Sequence, residues 1–192
     1  MNFIQDGKGR GFVAAVDSTN RLSAAAISIT ERQQAVLEGD AFEIGVPPIT
    51  LTGTTETAFL FVKNLEDRDL VISTFEFSGA ESTGGTSAVT LLKIYTNATT
   101  ITNNSTGGSV NALIGSNATL NSTVLVGNGS TSAVTGGSLF GAAYVRYAGQ
   151  ALFTGPWVLQ RGNSIVLTVT PPASNTSLPF GVRLTTHLQR KG

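Results

Sequence analysis

Apolar residues in this chain recur with a period of two in short runs separated by Gly, Asn and Pro, and no run carries the 3.6-residue period of a long helix. Ser164–Thr170 alternates with Ile165, Leu167 and Val169 on one face, and Pro171-Pro172 stops it. Phe180–Leu188 places Val182, Leu184 and Leu188 inward and Arg183, Thr185 and His187 outward, which predicts a solvated histidine. Glu56–Asn64 is apolar on both faces from Ala58 to Val62, the pattern of a strand buried by its own core on one side and by another subunit on the other. Asp69–Phe77 brings Val71, Phe75 and Phe77 to one face. The charged turn Leu65-Glu66-Asp67-Arg68 before it predicts a hairpin with the preceding strand. Ala88–Tyr95, Leu139–Tyr147 and Trp157–Gln160 supply further strands, the last running into Arg161-Gly162-Asn163-Ser164, a turn with hairpin chemistry. Glu31–Glu38 is the one short helix, ended by Gly39.

About seven to nine short strands joined by such turns predict an all-β fold. The expected form is a single antiparallel β-sandwich of the jelly-roll type, with an immunoglobulin-like sandwich lacking the disulfide as the alternative. Residues 1–48 are expected to be an extended N-terminal arm or linker. Small side chains dominate Leu22–Ile29, and Pro47-Pro48 close the segment because consecutive prolines block both helix and central strand. Residues 49–192 then form the sandwich, with polar loops at 96–138. That stretch has no charged residue, and its apolar islands Val110–Ile114 and Leu120–Val126 predict short strands.

Composition narrows the chemistry. The 192 residues suit one core, and only 12% are charged, about half the usual share. Twelve basic residues balance twelve acidic ones, which removes the case for nucleic-acid binding by a uniformly basic surface. The zero conceals a split. All twelve carboxylates lie between Asp6 and Glu81, leaving that stretch at −6, and the chain from Ser82 onward carries +6. Met1–Gly11 carries Asp6, Lys8 and Arg10 where a secretory signal needs an apolar run, so synthesis in a host cytosol without export is expected. No run approaches the ~18 apolar residues of a spanning helix. Seven N-x-S/T sequons, Asn175 among them, follow from the abundance of Ser and Thr.

Catalytic groups are few. His187 is the only histidine and there is no cysteine, so neither a zinc set nor a thiol nucleophile can be assembled. A Ser-His-acid set would need its carboxylate from the first 81 residues, and no G-x-S-x-G elbow is present. Glu66, Asp67 and Asp69 are the one carboxylate group that calcium could use, and a charged turn explains them equally well. No cofactor or metal site is expected. Lys8 and Arg10, within Gly7–Gly11, could touch an acidic partner surface.

Several pieces of the chain carry a resemblance. They are Gly11–Asp17 running to Arg21-Leu22, then Gly39–Phe42, Ile49–Thr52, Glu56–Asn64, Leu159–Ser164 and Ile165–Pro172. In order, they resemble virion structural proteins of tailed bacteriophages, and among these most closely the capsid cement or decoration proteins. The resemblance implies a non-enzymatic protein with a jelly-roll domain and an arm, homotrimeric on the capsid surface and bound to the major capsid protein. Lys8, Arg10, Asp17 and Arg21 are its candidate partner contacts. A tail, fibre or baseplate module that binds host surface glycans is the alternative, motivated by the polar 96–138 region and Trp157.

Overall fold

The computed structural model of the chain describes residues 3–5, 13–16, 22–23, 30–79, 83, 89–146 and 149–189. It divides into two compact units, Met1–Thr30 and Glu31–Gly192. In the first, β1 (Phe3–Gln5), β2 (Val13–Val16) and β3 (Leu22–Ser23) form a three-stranded antiparallel sheet in that order.

The second unit begins with helix α1 (Glu31–Glu38), which stops at Gly39 with φ of +78°, a left-handed conformation that favours glycine. Eleven strands follow: β4 (Ala41–Leu51), β5 (Thr57–Asn64), β6 (Leu70–Gly79), β7 (Val89–Ile101), β8 (Asn104–Thr106), β9 (Ser109–Asn111), β10 (Ser122–Gly127), β11 (Val134–Arg146), β12 (Gly149–Leu159), β13 (Ser164–Thr170) and β14 (Leu178–Leu188). They form a six-stranded sheet in the order β11-β7-β13-β5-β10-β8 and a five-stranded sheet in the order β12-β6-β14-β4-β9. The two antiparallel sheets pack face to face as an all-β sandwich. Phe59, Leu60, Val62 and Leu167 from one sheet meet Ile44, Phe75, Phe77, Phe180 and Leu184 from the other. Phe59 and Phe180 touch edge-to-face across the core at 5.3 Å.

The eight long strands pair as a nested ribbon. β7 pairs with β11, β6 with β12, β5 with β13 and β4 with β14. Successive pairs fall in alternate sheets, so the short connections cross from one sheet to the other. Both turns read as hairpins from sequence are therefore crossings: 65–69 leads from β5 to β6, and 160–163 from β12 to β13. Asn64 ties the two crossings together. Its N–H donates to the Asn163 carbonyl and its own carbonyl accepts from Gly162. Its Nδ2 donates to the carbonyls of Arg68 (2.9 Å) and Leu159 (2.8 Å), and its Oδ1 accepts from the Glu66 N–H at 3.0 Å.

Three other expectations change. β4 carries the sheet through residues 41–48, which the sequence assigned to the arm, and includes Pro47-Pro48. Pairing with β14 is irregular there, between Val46↔Val182 and Ile49↔Phe180, so two residues without an N–H interrupt little of the ladder. The second face of β5 is closed within the chain, where Ala58 and Phe61 cluster with Ala98, Ile101 and Val166, so its burial calls for no other subunit. Val71 stands opposite His187 in the ladder and on the other face from Phe75 and Phe77, because a bulge beside Thr185/Thr186 breaks the alternation.

Candidate functional site

The sandwich has two unlike sides. On one, the sheets end in β8 and β9, three-residue strands without charge or bulk, the short edges by which sheets avoid further pairing. On the other they end in β11 and β12, 13 and 11 residues long, whose only charged residue is Arg146. Among the described residues no strand pairs with the outer edge of either.

Between these long edges lies a slot of about 210 Å³, lined by Phe77, Leu92, Ile94, Phe140, Phe153, Trp157 and the small residues Gly141, Ala142 and Ala143. Two bulges shape it. One falls at Phe140, between Leu139↔Tyr95 and Gly141↔Ile94, and lets Phe140 reach the slot. The other falls at Gly155-Pro156, between Thr154↔Thr74 and Trp157↔Ile72. A Cβ on Gly155 would lie 2.6 Å from the Ile72 carbonyl oxygen, so only glycine permits this approach. Trp157 then packs edge-to-face on Phe75 at 4.7 Å, and Phe153 on Phe77 at 5.5 Å. The Trp157 ring, for which the sequence favours packing over a role as a sugar platform, is thus half-buried and engaged with the core. Phe140 is exposed at the slot, while Leu139 and Tyr144 are exposed on the outer face of one sheet and Leu152 and Val158 on the outer face of the other.

The charged residues make other, local arrangements. Glu56 accepts from Lys93 Nζ (2.5 Å), Tyr95 OH (2.8 Å) and Thr168 Oγ1 (2.7 Å). Burial pushes its carboxyl pKa up, but the three donors outweigh that and leave it below the ordinary value. Lys93 is raised in turn, chiefly by the hydrogen bond to Glu56. Arg68 clasps Asp40 through both terminal nitrogens, and Glu66 Oε1 accepts from the Asn121 N–H at 2.6 Å. Glu66 thus braces the loop at Asn121, and among the described residues no group of three or more His, Asp or Glu could hold a metal ion. Asn175 is buried and donates to the carbonyls of Leu51 and Gly53, so this sequon is a structural amide.

His187 departs from expectation. It faces outward, but α1 packs against β4 and β14 on that face and leaves the residue 5% exposed. Its Nδ1 lies 3.3 Å from Ser73 Oγ. Its Nε2, 4.0 Å from Glu31 Oε2, has no hydrogen-bond partner. Burial lowers its pKa below the ordinary value, and the Glu31 carboxylate only partly offsets this. Ser73, His187 and Glu31 have the residue types of a hydrolytic triad. Neither the slot nor the shallow depression lined by Gly45, Glu76, Ser78 and Arg183 includes Ser73 or His187. The cluster seats the helix, aided by Arg32, which pairs with Glu43 at 2.9 Å.

The candidate contacts Lys8, Arg10, Asp17 and Arg21 lie outside the described residues. The exposed apolar residues of β11 and β12 belong to no sequence motif. Their sequence signal is an absence of charge from Val134 through Val145 and again from Gly149 through Leu159. Among the described residues no helix is long and apolar enough to cross a membrane. No protein-family pattern matches the chain, and no curated protein matches it significantly.

Proposed function

We propose that this chain is a non-enzymatic structural protein of a bacteriophage particle, a cement or decoration protein on the capsid surface that bridges neighbouring major capsid proteins as a homotrimer. The observation that carries the reading is the open side of the sandwich: two long edges whose only charge is Arg146, flanked by exposed apolar side chains. Isolated proteins protect such edges, whereas subunits of assemblies use them. The nested ribbon supports the jelly-roll form of the sandwich, two Greek keys made by rolling one long antiparallel ribbon, an architecture that viral capsid domains use. The resembling segments of the sequence point to the same class. The mechanism is avidity: several modest contacts on one rigid oligomer act at high effective concentration and hold adjacent capsomers together.

The test adds purified protein to shells that lack it and measures binding and the shell's melting temperature. Saturable binding with a raised shell melting temperature is the expected result. Absence of both overturns the proposal, and specific binding to host glycans instead would put the protein on the tail or fibre.

A further inference from the structure

Helix α1 closes over a histidine that it leaves short of partners. His187 stands on the outer face of the five-stranded sheet, and with α1 packed on β4 and β14 it is 5% exposed. Two nitrogens at this seat are buried without a hydrogen bond, His187 Nε2 and Arg32 Nη1. A protonated imidazole carries two N–H donors. Ser73 Oγ, 3.3 Å from Nδ1, can take one, but Glu31 Oε2 at 4.0 Å is beyond hydrogen-bond reach of the other. The charges on this face are Glu31 and Arg32 from α1 and Glu43 from β4, and Glu43 is already shared between Arg32 and Arg183. β6 presents Val71 and the neutral Ser73, and Asp40, just before β4, is clasped by Arg68. A proton on the ring therefore meets desolvation that the Glu31 carboxylate only partly offsets.

The cover itself is lightly held. Ala35 is the buried residue of α1, Leu37 is exposed, and the Arg32–Glu43 ion pair ties the helix to β4. Eight residues are too few for a helix to persist alone in water, so α1 is either seated and helical or released and melted. We infer that α1 is a pH-operated latch: protonation of His187 favours a state in which α1 leaves the outer face of β4 and β14, and the imidazolium and the Arg32 guanidinium become hydrated. Neutral His187 keeps the latch shut. Release lengthens the connection ahead of β4 from about 12 Å of helix to as much as about 27 Å of extended chain. The Met1–Thr30 unit then hangs on a longer tether. The latch is a property of the fold and does not rest on the proposed function.

Hydrogen exchange of the full chain, corrected for the intrinsic rate at each pH, reads the latch directly. With an ordinary histidine pKa of about 6.5 in the released state and no proton on the seated one, the released-to-seated ratio rises about tenfold from about pH 7.5 to about pH 5.5. Protection of the Ala35–Asp40 amides is expected to fall severalfold, up to that limit, while β5 and β13 keep theirs. His187→Gln retains a neutral polar side chain, and its α1 protection should not change with pH. As His187 is the only histidine, its ring gives one titrating nuclear magnetic resonance signal in wild type, and the α1 amide signals should shift with the same midpoint. That reading needs no variant. Four results would each overturn the latch: α1 protection that stays constant while the histidine titrates, protection that rises in acid as Glu31 closes on the ring, an equal loss in every strand, or a similar fall in folded His187→Gln.

Discussion

Asn64→Ala is expected to be among the most destabilising single-atom-group changes in the sandwich, because one buried amide serves both sheet crossings. The variant loses the two Nδ2 donations to Arg68 and Leu159 and the Oδ1 acceptance from Glu66, while the backbone bonds to Asn163 and Gly162 remain. The Leu159 bond is fully buried, so its carbonyl is left without that donor at a cost of about 1–3 kcal/mol. The other two bonds are partly buried and contribute about 0.5–1.5 kcal/mol each, which brings the total to roughly 2–6 kcal/mol. For a domain of this size that should lower the urea midpoint by roughly 1–3 M. Asn64→Asp keeps the shape but turns a carboxylate oxygen toward two carbonyls, so it should lose at least as much at neutral pH and recover partly in acid, where the protonated carboxyl can donate one bond. Equilibrium urea unfolding followed by fluorescence and circular dichroism gives both numbers. An Asn64→Ala variant within about 0.5 kcal/mol of wild type, on the scale of an ordinary surface change, would refute the role given to the crossings.

Three further outcomes follow from single residues. His187 has a folded pKa below its unfolded one, so the unfolded state binds the proton first and stability should fall as pH drops from about 6.5 toward the lowered value. As it is the only histidine, His187→Gln should flatten that stretch of the melting-temperature profile, and parallel profiles would contradict the assignment. Glu56 has a depressed pKa, so its contribution is present above the unfolded value and lost as pH falls through the folded one. Glu56→Ala, at a site 30% exposed, should cost about 1–2 kcal/mol at pH 7 with a gap that closes in acid, and a gap independent of pH would speak against the three-donor cluster. Gly155→Ala should cost about 1–3 kcal/mol and disturb the single tryptophan, since the new methyl group collides with the Ile72 carbonyl and the Trp157 backbone. Unchanged stability and fluorescence would contradict the bulge geometry.

Strand positions were legible because alternation is a local property. Ile165, Leu167 and Val169 face the core as their spacing predicts, and Gly39 ends α1 where the helix pattern stops. Which strands pair was not legible in the same way. Leu65–Asp69 and Gln160–Asn163 have the composition of hairpin turns, but turn chemistry sets only the local reversal. Whether the next strand joins the same sheet depends on partners far away, such as β13 beside β5. His187 shows the same limit. Alternation put it on the outer face, but its burial comes from a helix about 150 positions earlier in the chain. The candidate surface was harder still. Alternation tells which face a side chain takes, not whether its strand ends a sheet, so Tyr144 and Leu152 read as ordinary strand residues. The charge-free 96–138 region contributes the short edges β8 and β9 of the two sheets, strand β10, the end of β7 and the start of β11.

The most direct test of the proposed role is a cryo-electron-microscopy reconstruction of the particle that carries this protein. The expected result is sandwich-sized density on the outer shell, bridging capsomers. Density confined to the tail, or a particle without the protein, would contradict it.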